Sequence, residues 1–305
     1  MTLNASIDRR FVVCGARTGE VNRVRECTYT AGGKGLNVSR ALALSGVDGL
    51  AGGLVGGYSG NFIEAELDKA GIAHDFYRVS EESRSCINIW DEATKQQTEY
   101  LEPGFMIDSR SMEGFLQKFR VQIQKADVLT ISGSVPKGVG DDIYKRMVST
   151  ARDYGKSVIL DSSGPLLEAA LPARPTLIKP NIDEIRLLTG KACERLEEIL
   201  TAAEELQGRG IQYVVISLGG QGALMVCDTG CYQAVIPQIN TVNTVGCGDA
   251  MVAGLAMGVE KGLSPEELLL TASGIAAAAA MSKGTGYYKR EDQKRLYNQI
   301  NIKKI

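Results

Sequence analysis

The stretch NTVGCGDAMVAGLA, residues 243–256, decides how the rest of the chain is interpreted. Three small residues, Gly246, Cys247 and Gly248, lead into Asp249 and then into an apolar segment whose spacing suits a buried helix. The sequence therefore predicts a loop that turns into a helix N-terminus. Such an N-terminus presents unpaired backbone N–H groups and the positive end of the helix dipole, so it can bind a phosphate or stabilise developing negative charge. Asp249, in the first turn, could cap the helix or accept a proton from a hydroxyl.

A second glycine loop, AGGKGLNVSRALALSG at residues 31–46, also leads into a helical pattern. Lys34 lies inside it. The loop is not a Walker A motif, because Gly35 follows the lysine where Ser or Thr is required. The stretch GGLVGGYSG at residues 52–60 does not have the GxGxxG spacing of a dinucleotide-binding loop, which makes a nicotinamide-dependent dehydrogenase a poor alternative.

From residue 128 onward, strand and helix patterns alternate. This alternation predicts a doubly wound α/β fold, a mostly parallel sheet with helices on both faces. Strands are expected at 128–134, 157–164, 176–181 and 213–219, and helices at 141–154, 182–189 and 196–207. Residues 222–237 should form a hairpin, and the alanine-rich helix at 264–281 should pack against residues 246–261. Polar residues gather where the strands end, which is the edge at which such sheets bind ligands.

Near the start of the chain, Leu3 to Asp8 reads as an apolar strand that would place Asp8 at this same edge. Two β-rich segments, about 9–30 and 84–102, interrupt the helix-rich pattern. We expect them to form a small β-sheet lid on a single domain spanning residues 1–305. An apolar lid face left in water would be unstable, so the lid should also pair with a second copy in a homodimer.

Composition excludes several functions. A net charge of −2 argues against a nucleic-acid partner, and no run of about 18 apolar residues predicts a membrane span. A signal peptide is not expected, and seven scattered cysteines without a CxxC pair favour free thiols in a cytoplasmic protein. His74 is the only histidine, which removes most Ser-His-Asp and metalloprotease chemistry.

Three motifs in this order, AGGKGLNVSRA, KPNIDE and NTVGCGD, resemble those of the PfkB family of carbohydrate kinases, which has the ribokinase-like fold. The resemblance spans essentially the whole chain. Within the family, the stretches SIDRR, SGSVPKG, ILDSSG and IKPN are similar to the branch that acts on phosphorylated ketohexoses. That branch includes tagatose-6-phosphate kinase and 1-phosphofructokinase.

The resemblance implies ATP-dependent phosphorylation, with Asp249 as the base and the backbone N–H groups of Gly246, Cys247, Gly248 and Asp249 holding the transferring phosphoryl group. Asn181 and Glu184 match the family's NxxE pair, which would organise Mg²⁺ through water. The remaining implied nucleotide-binding residues are Lys179, Ser217, Gly219 and Gly222. On the sugar side the resemblance implies Asp8, Arg23, Gly33, Lys34, Asn37, Arg84 and Ser134, with Arg23, Lys34 and Arg84 as candidates for binding the substrate's existing phosphate.

The sequence after Arg84, together with QTEYLEPG, is more similar to the tagatose-6-phosphate kinase pattern than to that of 1-phosphofructokinase. The resemblance therefore favours conversion of tagatose-6-phosphate to the 1,6-bisphosphate. The alternatives are a 1-phosphofructokinase and a non-catalytic sugar-phosphate-binding regulator. Two residues depart from the family: Ala5 stands where Pro is common, and Cys247 replaces the usual Ala or Ser, where the helix N-terminus should lower the thiol's pKa.

Overall fold

Thirteen strands and ten α-helices make up the chain, and the computed structural model describes residues 1–305. The strands are β1 (Ser6–Val13), β2 (Glu26–Gly32), β3 (Leu54–Gly56), β4 (Tyr77–Val79), β5 (Arg84–Asp91), β6 (Gln96–Leu101), β7 (Val128–Ser132), β8 (Ser157–Asp161), β9 (Leu177–Ile178), β10 (Tyr213–Ser217), β11 (Ala223–Cys227), β12 (Gly230–Val235) and β13 (Asn301–Lys304). The helices are α1 (Lys34–Ser45), α2 (Gly57–Lys69), α3 (Ser109–Ile123), α4 (Ile143–Asp153), α5 (Gly164–Ala170), α6 (Ile182–Thr189), α7 (Leu196–Gly208), α8 (Cys247–Glu260), α9 (Pro265–Ala280) and α10 (Arg290–Tyr297).

A seven-stranded sheet with the order β13-β12-β11-β10-β9-β8-β7 forms the centre of the fold. Strands β7 to β10 are parallel, and β11 to β13 continue the sheet in antiparallel fashion. Alternate residues of one strand point to opposite faces, so Val214 packs into one core and Val215 into the other. Helices α3, α4 and α7 cover the first face, and α1, α8 and α9 cover the second. The predicted doubly wound α/β class is therefore confirmed.

The alanine-rich helix α9 packs closely against α8, as predicted. A Cβ built on Gly254 of α8 would lie 2.6 Å from the Cα of Ala272 in α9. Helix α9 begins with a capping box, in which the side chains of Ser264 and Glu267 each accept a hydrogen bond from the other's backbone N–H. None of the helices combines the length and the apolar character needed to cross a membrane.

A separate four-stranded sheet, with the order β2-β1-β5-β6, stands where the two β-rich insertions were expected. Strands β1 and β5 are parallel, and the two outer strands pair with them in antiparallel fashion. One face of this sheet lines a cavity of about 880 Å³ and is mostly polar; it carries Asp8, Arg10, Thr28, Asn88 and Glu99. The sheet therefore covers one side of a cavity.

The start of the chain differs from the sequence prediction. Residues 3–8 do not end a strand of the central sheet, because β1 belongs to the small sheet. The residues before β1 join the small sheet to the main body: the carbonyl of Met1 accepts the N–H of Ser132, Leu3 packs into a core of the central sheet, and Nδ2 of Asn4 donates to Oγ of Ser134 (3.2 Å). Asp8 consequently reaches the ligand-binding side from the small sheet, not from the edge of the central one.

Candidate active site

Helix α8 begins in the turn that the sequence marked as decisive. Gly246 caps it in the left-handed region, with φ 82° and ψ 1°. A Cβ at this position would lie 2.7 Å from Cγ2 of Thr285, so only glycine fits without movement. The backbone N–H of Cys247 donates to the carbonyl of Thr244 (3.3 Å), whereas the N–H groups of Gly248 and Asp249 have no backbone acceptor. Two unpaired backbone donors therefore point out of the helix N-terminus, as an anion site requires.

Asp249 is buried in the first turn of α8. Its Oδ2 accepts a hydrogen bond of 2.8 Å from Nδ2 of Asn37, which lies on α1. Burial raises the pKa of Asp249 to about 6, and the nearby Asp161 carboxylate adds to the rise, whereas Asn37 and two lysines oppose it. A carboxylate with a pKa just below neutrality is well matched to general-base chemistry.

Two lysines flank a second carboxylate at the end of β8. Asp161 is 1% exposed, and its Oδ1 lies 3.3 Å from Nζ of Lys179 and 3.7 Å from Nζ of Lys34. Burial lowers the pKa of Lys34, but Asp161, Asp249 and Glu184 outweigh it, so the pKa is raised overall. Both ammonium groups are thus held where their charges also act on Asp249. Sequence reasoning noted Asp161 only as one polar residue at a strand end and missed its part in the site.

Asn181 and Glu184 form a capping box at the start of α6. The N–H of Glu184 donates to Oδ1 of Asn181 (2.8 Å), and the N–H of Asn181 donates to Oε2 of Glu184 (2.9 Å). Both residues line the cavity under the small sheet, and Oε1 of Glu184 makes no hydrogen bond within the chain. No three acidic, cysteine or histidine side chains gather into a metal cage. This donor set fits Mg²⁺, which keeps several waters and binds one or two carboxylates together with substrate phosphates.

Two adjoining cavities meet at the N-terminus of α8. The larger has a volume of about 880 Å³ and the smaller about 430 Å³, and Ser217 and Gly248 line both. Of the residues predicted to contact ligands, the larger cavity brings together Asp8, Gly33, Lys34, Asn37, Arg84, Ser134, Lys179, Asn181, Glu184, Ser217, Gly246, Gly248 and Asp249.

The smaller cavity contains Gly219, Gly222 and Cys247 of the predicted residues. Its walls are mostly apolar or glycine, and they also include Ser273 of α9. The hydroxyl of Ser273 is buried and has no hydrogen-bond partner in the chain. Sequence reasoning missed Ser273, because a serine inside an alanine-rich helix gives no local signal of a ligand contact.

Arg84 and Asp8 lie on the small sheet and face the larger cavity. The guanidinium of Arg84 donates through Nε to the carbonyl of Asn4 (3.1 Å) and through Nη1 to that of Glu102 (2.9 Å), which leaves Nη2 without a partner. Oδ1 of Asp8 accepts a hydrogen bond from Ser6, and burial raises the pKa of Asp8.

Two sequence predictions need correction. Arg23 is exposed on the loop between β1 and β2 and lines neither cavity, so the chain does not bring it to Lys34 and Arg84. The pKa of Cys247 is raised to about 11 instead of lowered, because burial and the charge of Asp249 disfavour the thiolate more than the helix N-terminus favours it. Its Sγ points to the carbonyl of Asn243, at 3.6 Å.

A buried carboxylate beside a glycine-capped helix N-terminus, flanked by lysines at the ligand-binding edge of a doubly wound sheet, is the arrangement that the sequence motifs predict for a kinase. Comparison with known proteins gives the family. The profile described as pfkB family carbohydrate kinase matches residues 1–292, and the chain belongs to this family. The resemblance seen in the sequence motifs is thereby confirmed.

Several solved structures are similar over almost the whole chain. A putative phosphofructokinase from Staphylococcus aureus is 32% identical with a TM-score of 0.85, covering 100% of this chain and 97% of that one. Phosphofructokinase-2 from Escherichia coli is 28% identical with a TM-score of 0.93, covering 98% and 97%. A possible 1-phosphofructokinase from Thermotoga maritima is 28% identical with a TM-score of 0.91, covering 100% and 98%. The protein is therefore a carbohydrate kinase with the ribokinase-like fold.

Proposed function

We propose that the protein transfers the γ-phosphoryl group of ATP to a hydroxyl of a ketohexose phosphate. The observation that carries this proposal is the buried carboxylate of Asp249 beside the unpaired N–H groups of α8, at the junction of the two cavities. In the reaction, Asp249 takes the proton of the acceptor hydroxyl, whose oxygen forms a bond to the γ-phosphorus while the bond to ADP breaks. Hydrogen bonding of Oδ2 to Asn37 leaves Oδ1 of Asp249 for that hydroxyl.

Positive groups around the base would stabilise the transferring phosphoryl group. The N–H groups of Gly248 and Asp249 and the ammonium groups of Lys34 and Lys179 converge on the same region of the cavity. Preorganised donors of this kind supply the largest share of catalysis in phosphoryl transfer. Glu184 and Asn181 would hold hydrated Mg²⁺, which supplies charge neutralisation of the nucleotide phosphates.

The nucleotide would occupy the smaller cavity. Its apolar walls suit the flat nucleobase of ATP, and the glycines at 219 and 222 let the backbone approach the ligand closely. The hydroxyl of Ser273, which has no partner in the chain, could form a hydrogen bond with the nucleobase of ATP.

The acceptor would occupy the larger cavity under the small sheet. Asp8 would bind sugar hydroxyls, with Ser134 at the opposite wall. Of the cations predicted to bind a substrate phosphate, Nη2 of Arg84 and Nζ of Lys34 are available in this cavity, and Arg10 of the small sheet lines it as well. Because a neutral sugar would leave Arg84 without a counter-charge, a sugar phosphate fits this cavity better.

Tagatose-6-phosphate, phosphorylated at C1 to the 1,6-bisphosphate, is our preferred substrate. The sequence following Arg84 supports it, whereas the names of the similar structures point to fructose phosphates. One of those structures is phosphofructokinase-2 from Escherichia coli in complex with fructose-6-phosphate, and another is a possible 1-phosphofructokinase. Conversion of fructose-1-phosphate is therefore the second candidate. A non-catalytic regulator would have no need of the assembled base and donors.

The small sheet would act as a lid and as the contact of a homodimer. Its face away from the cavity carries Phe11, Tyr29, Ile89 and Tyr100, none of which belongs to a hydrophobic core of the chain. Tyr29 and Tyr100 are 45% and 60% exposed. A second copy would cover this apolar face. All seven cysteines are free, which supports a reducing compartment such as the cytoplasm.

Sedimentation of the wild type and of Tyr100→Lys tests the dimer. The wild type should sediment as a dimer at micromolar concentration, and the variant should dissociate because it introduces a charge into the contact. A monomeric wild type would contradict the proposed contact.

Asp249→Asn tests the assignment of the base. It should lower turnover by at least about 10²–10⁴, since a general base contributes that much, while the affinities for ATP and for the sugar phosphate change by less than about threefold. Asp75→Asn is the matched control, because Asp75 pairs with Lys118 and lies outside both cavities. ADP release would be followed with a coupled assay, and binding by calorimetry. Turnover of Asp249→Asn within a few-fold of the control would overturn the assignment.

A further inference from the structure

We propose that Arg40 is a positioning residue for Asp249: its guanidinium holds the side-chain amide of Asn37 in the orientation in which that amide donates to the carboxylate. This inference deepens the proposed function and rests on Asp249 being the base. The residue does not reach the cavity itself, so its effect would pass through Asn37.

Arg40 is a buried cation whose charge partly offsets the rise that burial causes in the pKa of Asp8, but which touches no carboxylate directly. It lies on α1, is 5% exposed and forms no salt bridge. Its Nη1 donates to Oδ1 of Asn37 (2.9 Å) and to the carbonyl of Thr285 (3.0 Å), and its Nη2 donates to the carbonyl of Ala31 (2.5 Å). The guanidinium also lies 4.9 Å from the ring centroid of Tyr287. Burying an unpaired charge is costly, so this set of contacts needs a reason beyond packing.

The contact with Asn37 decides which way its amide points. The guanidinium has only hydrogen-bond donors, so the amide atom beside it must be the acceptor Oδ1 of Asn37. Nδ2 of Asn37 then faces Asp249. The flipped amide would set N–H against N–H at Arg40 and oxygen against oxygen at Asp249. Arg40 therefore stabilises the orientation that occupies Oδ2 of the base and leaves Oδ1 free.

The other two contacts of Arg40 tie this pair to the rest of the site. Thr285 is the residue whose methyl group closes against Gly246, and Ala31 lies at the end of β2 in the small sheet. One planar guanidinium thus joins the base, the turn before α8 and the sheet above the cavity. A lysine could not satisfy the three acceptors, because its ammonium is a compact point charge without the fixed fork.

Replacing Arg40 should change the way in which kcat depends on pH. Other charged and titratable groups face Asp249 from every element packed against it: Asp161 from β8, Lys34 from α1, Lys179 before α6 and Cys247 from α8. An Arg40 variant removes none of these groups. It does remove the attraction of Arg40 for Asp8, so the pKa of Asp8 should rise as well, and KM for the sugar phosphate reports that effect separately from kcat. Loss of the amide hydrogen bond destabilises the ionised carboxylate, so the acidic limb of the kcat profile should move to higher pH.

The test compares Arg40→Met, Arg40→Lys and Asn37→Ala with wild type. At pH 6 each should lower kcat by about ten- to a hundredfold, as expected for a hydrogen bond to a charged group, with partial recovery at pH 8.5 and KM for ATP within about twofold. Arg40→Met in the Asn37→Ala background should add no further pH shift. Arg152→Met is the control, since Arg152 also donates to two backbone carbonyls but lies far from the cavities.

The outcomes separate the two proposals. If Asp249→Asn is inactive but Arg40→Met and Arg40→Lys keep the wild-type pH profile, Arg40 does not position Asp249, whereas the assignment of Asp249 as the base is supported. If Arg40→Lys alone keeps that profile, charge and not orientation matters, which also overturns the inference. If Asp249→Asn retains turnover, the proposed function itself fails. Arg40→Lys keeps the test open if Arg40→Met does not fold.

Discussion

Gly246→Ala should damage catalysis through a single added methyl group. The residue has φ 82°, and a Cβ would lie 2.7 Å from Cγ2 of Thr285 and 3.1 Å from the N of Gly286. The left-handed conformation costs a non-glycine residue roughly 1–2 kcal/mol. In addition, the close contact forces the turn or the loop at 285 to move, and with it the N–H groups of Gly248 and Asp249. Losing one such donor typically lowers kcat by about 10²–10³.

Gly262→Ala is the matched control at the other end of helix α8. Its φ is 60°, but nothing lies within 4 Å of the added Cβ, so it has the conformational cost without the contact. In urea titrations, the control should lose roughly 1–2 kcal/mol of unfolding free energy, and Gly246→Ala at least as much. In steady-state assays only Gly246→Ala should lose kcat, by at least about tenfold. Equal kcat values for the two variants would refute the placement of the phosphoryl group at this turn.

Four further expectations concern Asp249, Arg84 and Cys247. Activity should fall as pH drops through about 6, because Asp249 must be ionised to act as base; a flat profile down to pH 5 in a stable enzyme would contradict this. Asp249→Asn should raise the unfolding free energy above pH 6, since burial raises the folded-state pKa and ionisation therefore opposes folding, and the gain should vanish as pH falls towards 4. Arg84→Ala should weaken sugar-phosphate affinity by about ten- to a hundredfold and leave ATP affinity unchanged in calorimetry. Cys247 should resist thiol reagents at pH 7.5, because its pKa is about 11; rapid labelling by mass spectrometry would show otherwise.

Local patterns were sufficient for the helix N-termini and the parallel strands. The glycine turn before Asp249 is specified within a few neighbours, so sequence reasoning located it, as it did the helix that begins at residue 182. Asn181 and Glu184 were singled out by the family resemblance as a Mg²⁺ pair, and their capping box became visible only in the structure. Strand and helix alternation likewise predicted β7 to β10.

Long-range pairing was harder to predict. Strand β1 pairs with β5, some 78 residues away. Because of this pairing, Asp8 lies in the small sheet and not in the central sheet, where the sequence analysis had placed it. Arg23 was grouped with Lys34 by charge alone, and the intervening strand β2 separates them. Burial changed the chemistry at Cys247, where desolvation outweighs the helix N-terminus. Asp161 and Arg40 acquire their roles only through neighbours brought together by folding.

Phosphoryl transfer to a ketohexose phosphate is tested most directly by kcat/KM for tagatose-6-phosphate, fructose-6-phosphate, fructose-1-phosphate and unphosphorylated tagatose, with ATP and Mg²⁺. ADP release and the position of the new phosphate, read by phosphorus NMR, would be recorded for each compound. We expect the highest kcat/KM for tagatose-6-phosphate, with the new phosphate at C1, and little turnover of the unphosphorylated sugar. Equal use of unphosphorylated tagatose, or ADP release with none of the four, would contradict the proposal, and a higher kcat/KM for fructose-1-phosphate would replace the preferred substrate by the second candidate.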